Sequence, residues 1–286
     1  MTHKVVAMPL IPGQVRRGKF KRSDLHYAKY SRASWKWWCD KNGIEFIVFD
    51  QPLGGAEFAD KPPTIQRWLI PDLLIREHGN GTRVALVDAD TMIRWDTPDF
   101  LDMSENFSAV RGRDTPWISQ SINAFQPLFP GVTLTPREYF NAGMVVVGQG
   151  ELQKIRSFLA FMSQHWPLVQ KIIRAGNFGT DQTALNFVLQ RENARVDFLP
   201  VAFNFLHCFP LDPVLFSIDN SPLPDPVQFA ARAFSRPGAF NFCNQGYIWH
   251  FSNVVALRSL VMGEVWRRVC GSYPGVELVE NISRTS

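Results

Sequence analysis

The chain opens on an apolar run, KVVAMPLIPG (4–13), which stops at Pro12-Gly13 and reads as a buried first strand. A basic loop, QVRRGKFKRSD, follows, and Ser23 or Asp24 can cap a helix that runs to about Lys41 and stops at Asn42-Gly43. Leu25, Ala28, Trp35, Trp38 and Cys39 recur at roughly helical spacing, which predicts that the Trp35, Trp37 and Trp38 cluster divides between core and surface. IEFIVFD (44–50) predicts a second strand. TIQRWLIPDLLIREHGNG predicts a helix, kinked or restarted at Pro71 and ended by Gly79. TRVALVDAD (82–90) predicts a third strand.

Strand, helix, strand, helix, strand within ninety residues implies an α/β fold with a parallel sheet and helical crossovers. Ligands in such open sheets bind beyond the carboxyl ends of the strands. That edge is expected to gather loop 11–23, loop 51–63 and the Asp88/Asp90 turn. Beyond residue 95 the pattern loosens. NFSAVRG (106–112) and FNAGMVVVG (140–148) predict strands, and 113–136 reads as an irregular lid or acceptor loop. Helices are expected from Glu151 to about His165 and over 179–193, the latter begun by Thr180 or Asp181. Residues 209–245 read as loop-rich, GYIWHFSN (246–253) as a short strand, and the segment after it as the last helix. No repeat and no linker divides the chain, so residues 1–286 are expected to form one domain.

Composition is ordinary for a globular protein, at 45% hydrophobic and 20% charged residues. Cys39, Cys208, Cys243 and Cys270 lie far apart with no C-x-x-C pair, which points away from a zinc site or a disulfide framework. The first thirty residues contain no apolar signal region, and no run is long enough to span a membrane. The expectation is a soluble cytoplasmic protein, in the host cytoplasm if viral. Charge changes the picture more. Residues 1–41 hold ten Lys and Arg against Asp24 and Asp40, a local balance of +8 in a chain of +4, so the remainder sums to −4. Arg16, Arg17, Lys19, Lys21 and Arg22 in particular suggest a polyanionic partner, or else a solvated basic face.

Asp88 and Asp90 stand out at the end of an apolar strand. Side chains at i and i+2 of an extended backbone share a face, so the two carboxylates can seat a hard divalent cation. An acidic strand exit of no function and a phosphatase nucleophile loop are the other readings. VALVDADTM fits an apolar strand followed by D-x-D-x-T, as in haloacid-dehalogenase-type phosphatases, but no Asp-Asp pair follows anywhere in the chain. Taken singly, His250 can be a core histidine, Asp181 a helix cap and Asn141 a turn residue beside Gly143.

The order Asp88-Ala89-Asp90, YFNAGMVVV, GTDQTALN and WHFS resembles GT-A-fold glycosyltransferases, most nearly the retaining family-8-like enzymes, over roughly residues 4–255. The resemblance implies a Rossmann-like single domain with a mixed, mainly parallel central sheet flanked by helices. It implies a nucleotide-sugar-binding half over 1–112, a donor-sugar and acceptor half over 113–270, and a tail over 271–286. Asp88, Asp90 and His250 then match the ligands of Mn²⁺, with Mg²⁺ also possible, and imidazole beside carboxylates favours Mn²⁺. Asn141, Asp181 and Gln182 match residues at the donor sugar. Pro9, Asp50, Lys61, Arg67, Ala89, Ala142 and Gly143 complete the nucleotide-sugar candidates. The family's Lys after H-F-x-G is missing from His250-Phe251-Ser252-Asn253, leaving Arg67, Lys61 or Arg258 to grip the terminal phosphate. The implied reaction transfers a sugar, from a UDP-sugar by preference, to a hydroxyl of a glycan or, given the basic loop, of a polyanion such as hydroxymethylated DNA. A sugar nucleotidyltransferase would normally show a Gly-rich loop after the first strand, which LIPGQVRRGKF matches poorly, and a non-catalytic binding module is the remaining class.

Overall fold

The computed structural model describes residues 2–11, 25–112, 115–176, 178, 181–206, 234–235, 237–252 and 258–279. The basic loop, with Arg16, Arg17, Lys19, Lys21 and Arg22, and most of 209–245 lie outside the described residues. Strands in chain order are β1 (Lys4–Pro9), β2 (Glu45–Phe49), β3 (Arg83–Val87), β4 (Thr91–Ile93), β5 (Phe107–Arg111), β6 (Phe140–Val147), β7 (Val196–Leu199) and β8 (Ile248–His250). Helices are α1 (Ala28–Asn42), α2 (Gly55–Phe58), α3 (Pro63–Gln66), α4 (Ile70–His78), α5 (Pro116–Phe125), α6 (Leu152–Gly176), α7 (Gln182–Arg191), α8 (Phe242–Gln245) and α9 (Arg258–Val269). The chain clusters into two compact units, residues 1–19, 44–87 and 99–200 in one and 20–43, 88–98 and 201–286 in the other.

The first unit is an α/β sheet of six strands in the order β2-β1-β3-β6-β5-β7. β1 runs parallel to β2 and β3, and β7 parallel to β5, while β6 is antiparallel to both neighbours. The sheet is therefore mixed and mainly parallel. Val5, Ala7, Val84, Leu86, Ala109, Val145 and Val147 project by period two into one core shared with residues of α4, α5, α6 and α7. Their neighbours Val6, Met8, Ala85, Val87, Met144 and Val146 are also buried, which is why β1, β3 and β6 read as continuous apolar runs.

Several expected boundaries move. The helix predicted across Pro71 is broken into α3, a 3-10 turn at Arg67–Leu69, and α4, with Pro71 in the first turn of α4, where its missing N–H costs nothing. The irregular loop predicted over 113–136 contains α5, whose Thr115 side chain accepts from the Ile118 amide and whose Ile118, Ile122 and Phe125 enter the core. α6 runs to Gly176, through Pro167, well past His165. β7 is an edge strand with no counterpart in the sequence reading.

The second unit pairs β4 antiparallel to β8 beside α1 and α9. On α1 the residues Ser31, Ser34, Trp35, Trp38 and Cys39 are buried at helical spacing, with Trp37 half-buried. Trp35 Nε1 donates to Thr91 Oγ1 at 3.0 Å, Trp38 Nε1 to the Thr97 carbonyl at 2.8 Å, and Tyr273 Oη to the Ile93 carbonyl at 2.5 Å. Gly43 ends α1 in the left-handed conformation at φ 65°, as Asn42-Gly43 predicts.

Candidate active site

The apolar run of β3 stops at Val87, so Asp88 and Asp90 stand in the turn between β3 and β4 rather than on one strand. The turn is held by its own backbone. The Asp88 carbonyl accepts from the Thr91 amide at 3.0 Å and from Thr91 Oγ1 at 2.7 Å, and the Asp90 carbonyl accepts from the Phe251 amide at 2.9 Å. β4 and β8 pair in the register Thr91 to His250, which delivers the imidazole beside the turn. His250 Nε2 lies 3.4 Å from Asp90 Oδ1 and 3.8 Å from Asp88 Oδ2. Burial deepens along the set, with side-chain exposures of 31% for Asp88, 12% for Asp90 and 3% for His250.

Two further side chains shape this cluster. Asn204 Oδ1 lies 2.9 Å from His250 Nδ1, and because a carboxamide oxygen only accepts, Nδ1 carries the proton. With that proton in place, a ring that carries none on Nε2 presents its lone pair toward the two carboxylates, the tautomer that ligates a metal. Arg258 Nη2 lies 2.8 Å from Asp90 Oδ2, while its Nε donates to the Phe251 carbonyl at 3.2 Å and its guanidinium carbon lies over the Tyr27 ring, 5.0 Å from the centroid. In the metal-free protein burial opposes the charge on Asp90, but a protonated His250 donating through Nε2 and the Arg258 guanidinium outweigh it and hold the carboxyl down to about 2. Burial likewise raises the Tyr27 phenol, helped by the charge of Asp90.

Ligand atoms of Asp88, Asp90 and His250 all lie within 4.8 Å of one another. Two carboxylates and a lone pair converge there against one guanidinium, a donor set that fits a divalent cation of Mn²⁺ type. Asn204 escapes sequence reasoning because VAFNF carries no motif; the available signal is an amide within an apolar run.

A separate polar cluster lies in the first unit. Asp181 precedes α7 but makes no capping hydrogen bond. Its Oδ2 accepts from Arg67 Nε at 3.1 Å, Arg67 Nη2 at 2.8 Å and Trp68 Nε1 at 2.8 Å, and Arg67 Nη2 also reaches the Ala142 carbonyl at 2.8 Å. Gln182 Oε1 accepts from the Ala142 amide at 3.0 Å, and its Nε2 donates to Tyr139 Oη at 3.1 Å. Asn141 Oδ1 accepts from the Gly143 amide at 2.9 Å. Arg67, Asn141, Ala142, Gly143, Asp181 and Gln182 are thus gathered around the start of β6 and α7. Pro9 and Asp50 stand at adjacent strand ends, since Pro9 pairs with Phe49. Lys61 is turned to the Glu57 carbonyl and Asp60. Arg258, one of the three cations considered for a phosphate, lies beside the Asp88/Asp90 turn.

No protein-family model matches the chain, and no curated protein matches it. Solved structures similar to it include a glycosyltransferase involved in the glycosylation of the major capsid of PBCV-1, at 12% identity and TM-score 0.48, covering 92% of this chain and 99% of that one. Another is the galactosyltransferase LgtC in complex with donor and acceptor sugar analogues, at 15% identity and TM-score 0.42, covering 93% and 99%. A third is the glycosyltransferase GlyE of Streptococcus pneumoniae, at 14% identity and TM-score 0.42, covering 94% and 64%. Identities this low transfer no residue role. Among the described residues no helix is long and apolar enough to cross a membrane.

Proposed function

We propose that the chain is a divalent-metal-dependent glycosyltransferase of GT-A type, moving a sugar from a nucleoside-diphosphate sugar to an acceptor hydroxyl. The observation that carries this reading is the Asp88, Asp90 and His250 cluster, with the imidazole tautomer set by Asn204. An imidazole in place of a further acidic pair favours a metal cage over a phosphatase nucleophile loop.

Asp88, Asp90 and His250 would hold Mn²⁺, which when bound neutralises the negative charge that develops on a departing diphosphate. The chain's own residues prepare that site. Against the cost of burial the Arg258 guanidinium favours the ionised form of Asp90, and the Asn204 contact holds a proton on His250 Nδ1, which leaves Nε2 to ligate. Arg258 supplies a guanidinium beside the carboxylates that suits a phosphate oxygen by its fixed fork of donors. The donor-sugar roles of Asn141, Asp181 and Gln182 rest on the ordered motifs, and the Asp181 carboxylate, committed to Arg67 and Trp68, is no candidate nucleophile. A UDP-sugar donor, retention at the anomeric carbon and a glycan acceptor follow from the resemblance. An anionic acceptor, hydroxymethylated DNA included, rests on the charge of the basic loop alone.

Incubating the full chain with a panel of UDP- and GDP-sugars, with Mn²⁺ or with excess chelator, tests this. Release of nucleoside diphosphate is expected from one donor with Mn²⁺ and is abolished by chelator or by Asp90→Asn. Full activity in chelator would sink the metal role, and the anomer of the product, read by NMR, decides retention.

A further inference from the structure

We propose a second metal site, made by His3, Glu45 and His78, that takes a borderline transition-metal dication of the Zn²⁺ class. These residues lie in the first unit at the amino ends of the parallel strands and take no part in the function proposed above. His3 immediately precedes β1, and its carbonyl accepts from the Arg83 amide at 2.8 Å, which ties it to the start of β3. Glu45 opens β2 and pairs with Val5 across the ladder. His78 is the last residue of α4, followed by Gly79 at a positive φ of 94°, whose amide donates to the Ile75 carbonyl at 2.9 Å. Three elements, distant in sequence, thus converge on one point.

The geometry suits a small tetrahedral ion. His3 Nε2 lies 2.9 Å and His78 Nε2 lies 3.7 Å from the same Glu45 Oε2, and the three ligand atoms are within 4.8 Å of one another. Ligands about 2.0–2.1 Å from Zn²⁺ in a tetrahedron are separated by about 3.3 Å, a value these distances bracket. The two imidazoles stack with centroids 4.3 Å apart at 20°. Two protonated rings in that arrangement repel each other, whereas two neutral rings can share a single cation with the carboxylate. His78 Nε2 is buried and has no hydrogen-bond partner, which costs free energy that a metal bond would recover. The position beyond the last turn of α4 lies at the negative end of the helix dipole, which favours a cation.

The donor set differs in kind from the Asp88 cluster. Two nitrogens and one oxygen favour Zn²⁺ or its late neighbours, while two carboxylates and one imidazole favour Mn²⁺. His3 and Glu45 are each 40% exposed, so water can complete the coordination. A bound ion would clip the first strand to β2 and α4, adding folding free energy as structural metals do.

The test uses the full chain carrying Asp88→Asn and Asp90→Asn, which silences the other cluster, after removal of metals by chelation. Calorimetric titration with Zn²⁺ is expected to show one ion per chain, and Co²⁺ to give a visible ligand-field band. Adding His78→Gln should weaken Zn²⁺ binding at least tenfold and remove the band. Adding the exposed His3→Gln instead should do the same and keeps the test valid if His78→Gln does not fold. The site is refuted if the parent binds no Zn²⁺, or if His3→Gln binds it as tightly as the parent.

Discussion

Replacing Asn204 with leucine removes the acceptor that faces His250 Nδ1 at 2.9 Å while keeping the same branching and number of side-chain heavy atoms at a buried position. Without that acceptor a proton on Nδ1 is buried and unsatisfied, at a cost of about 1–3 kcal/mol. The free protein escapes this cost by moving the proton to Nε2, where Asp90 Oδ1 at 3.4 Å can attract it. A metal-bound protein cannot, because Nε2 must then be a ligand. The whole cost falls on the bound state, so Mn²⁺ affinity should drop by about 5- to 150-fold. Losses of about 10–100-fold are usual when the partner of a ligating histidine is removed. Binding is read by electron paramagnetic resonance of free Mn²⁺ during titration of the full chain. Asn204→Asp keeps an acceptor at the same place and should keep the affinity. The reasoning fails if Asn204→Leu binds Mn²⁺ as the unaltered chain does while Asp90→Asn does not bind it.

Arg67→Met leaves the buried Asp181 carboxylate with only Trp68 of its two recorded donors and should cost about 3–5 kcal/mol in denaturant unfolding. Asp181→Leu added to it should recover much of that loss; a lone Arg67→Met that costs less than about 1 kcal/mol would contradict the pairing. Because the Asp90 carboxyl titrates at about 2 when folded and near 3.9 when unfolded, it contributes stability above about pH 4 that fades as pH falls toward 2. The stability difference between the unaltered chain and Asp90→Asn should therefore shrink as pH falls from about 4 toward 2 in acid-unfolding curves. Burial pushes the Cys243 thiol up to about 12, whereas Cys270 is exposed, so peptide mapping after brief alkylation at pH 8 should find Cys270 modified well before Cys243.

The ends of α1, α4 and β3 were legible because punctuation and periodicity agreed: Asn42-Gly43 ends α1, Gly79 ends α4, and Asp88 ends the apolar run of β3. α5 was hidden by the Pro and Ser around it, although Thr115-Pro116 is a helix start and Ile118, Ile122 and Phe125 have helical spacing. α6 continues past Trp166-Pro167 because Trp166 and Val169 are buried on its core face, and packing overrides the proline. β7 has four residues with a polar Asp197 among them, too short a run to show alternation, and it is held by pairing with β5. Asp88, Asp90 and His250 could be singled out as candidates since they carry their own chemistry, whereas His3, Glu45 and His78 meet only in the fold. The Asn204 contact and the Arg67 to Asp181 pair were not, because each joins positions that only the fold brings together.

The antiparallel β6 between β3 and β5 has a consequence for how the chain is made. Until Phe140–Val147 has been synthesised, β3 has β1 on one side and an open edge on the other, and that edge is Arg83 followed by four fully buried apolar residues. Translation at about 5–20 residues per second needs roughly 3–12 s to cover the stretch from Val87 to Val147. During that interval the nascent chain offers a template for intermolecular pairing that the finished sheet conceals. Chains halted before Phe140 should accordingly aggregate, and shielding by chaperones at the ribosome should matter more for this protein than for one whose strands pair in the order they emerge.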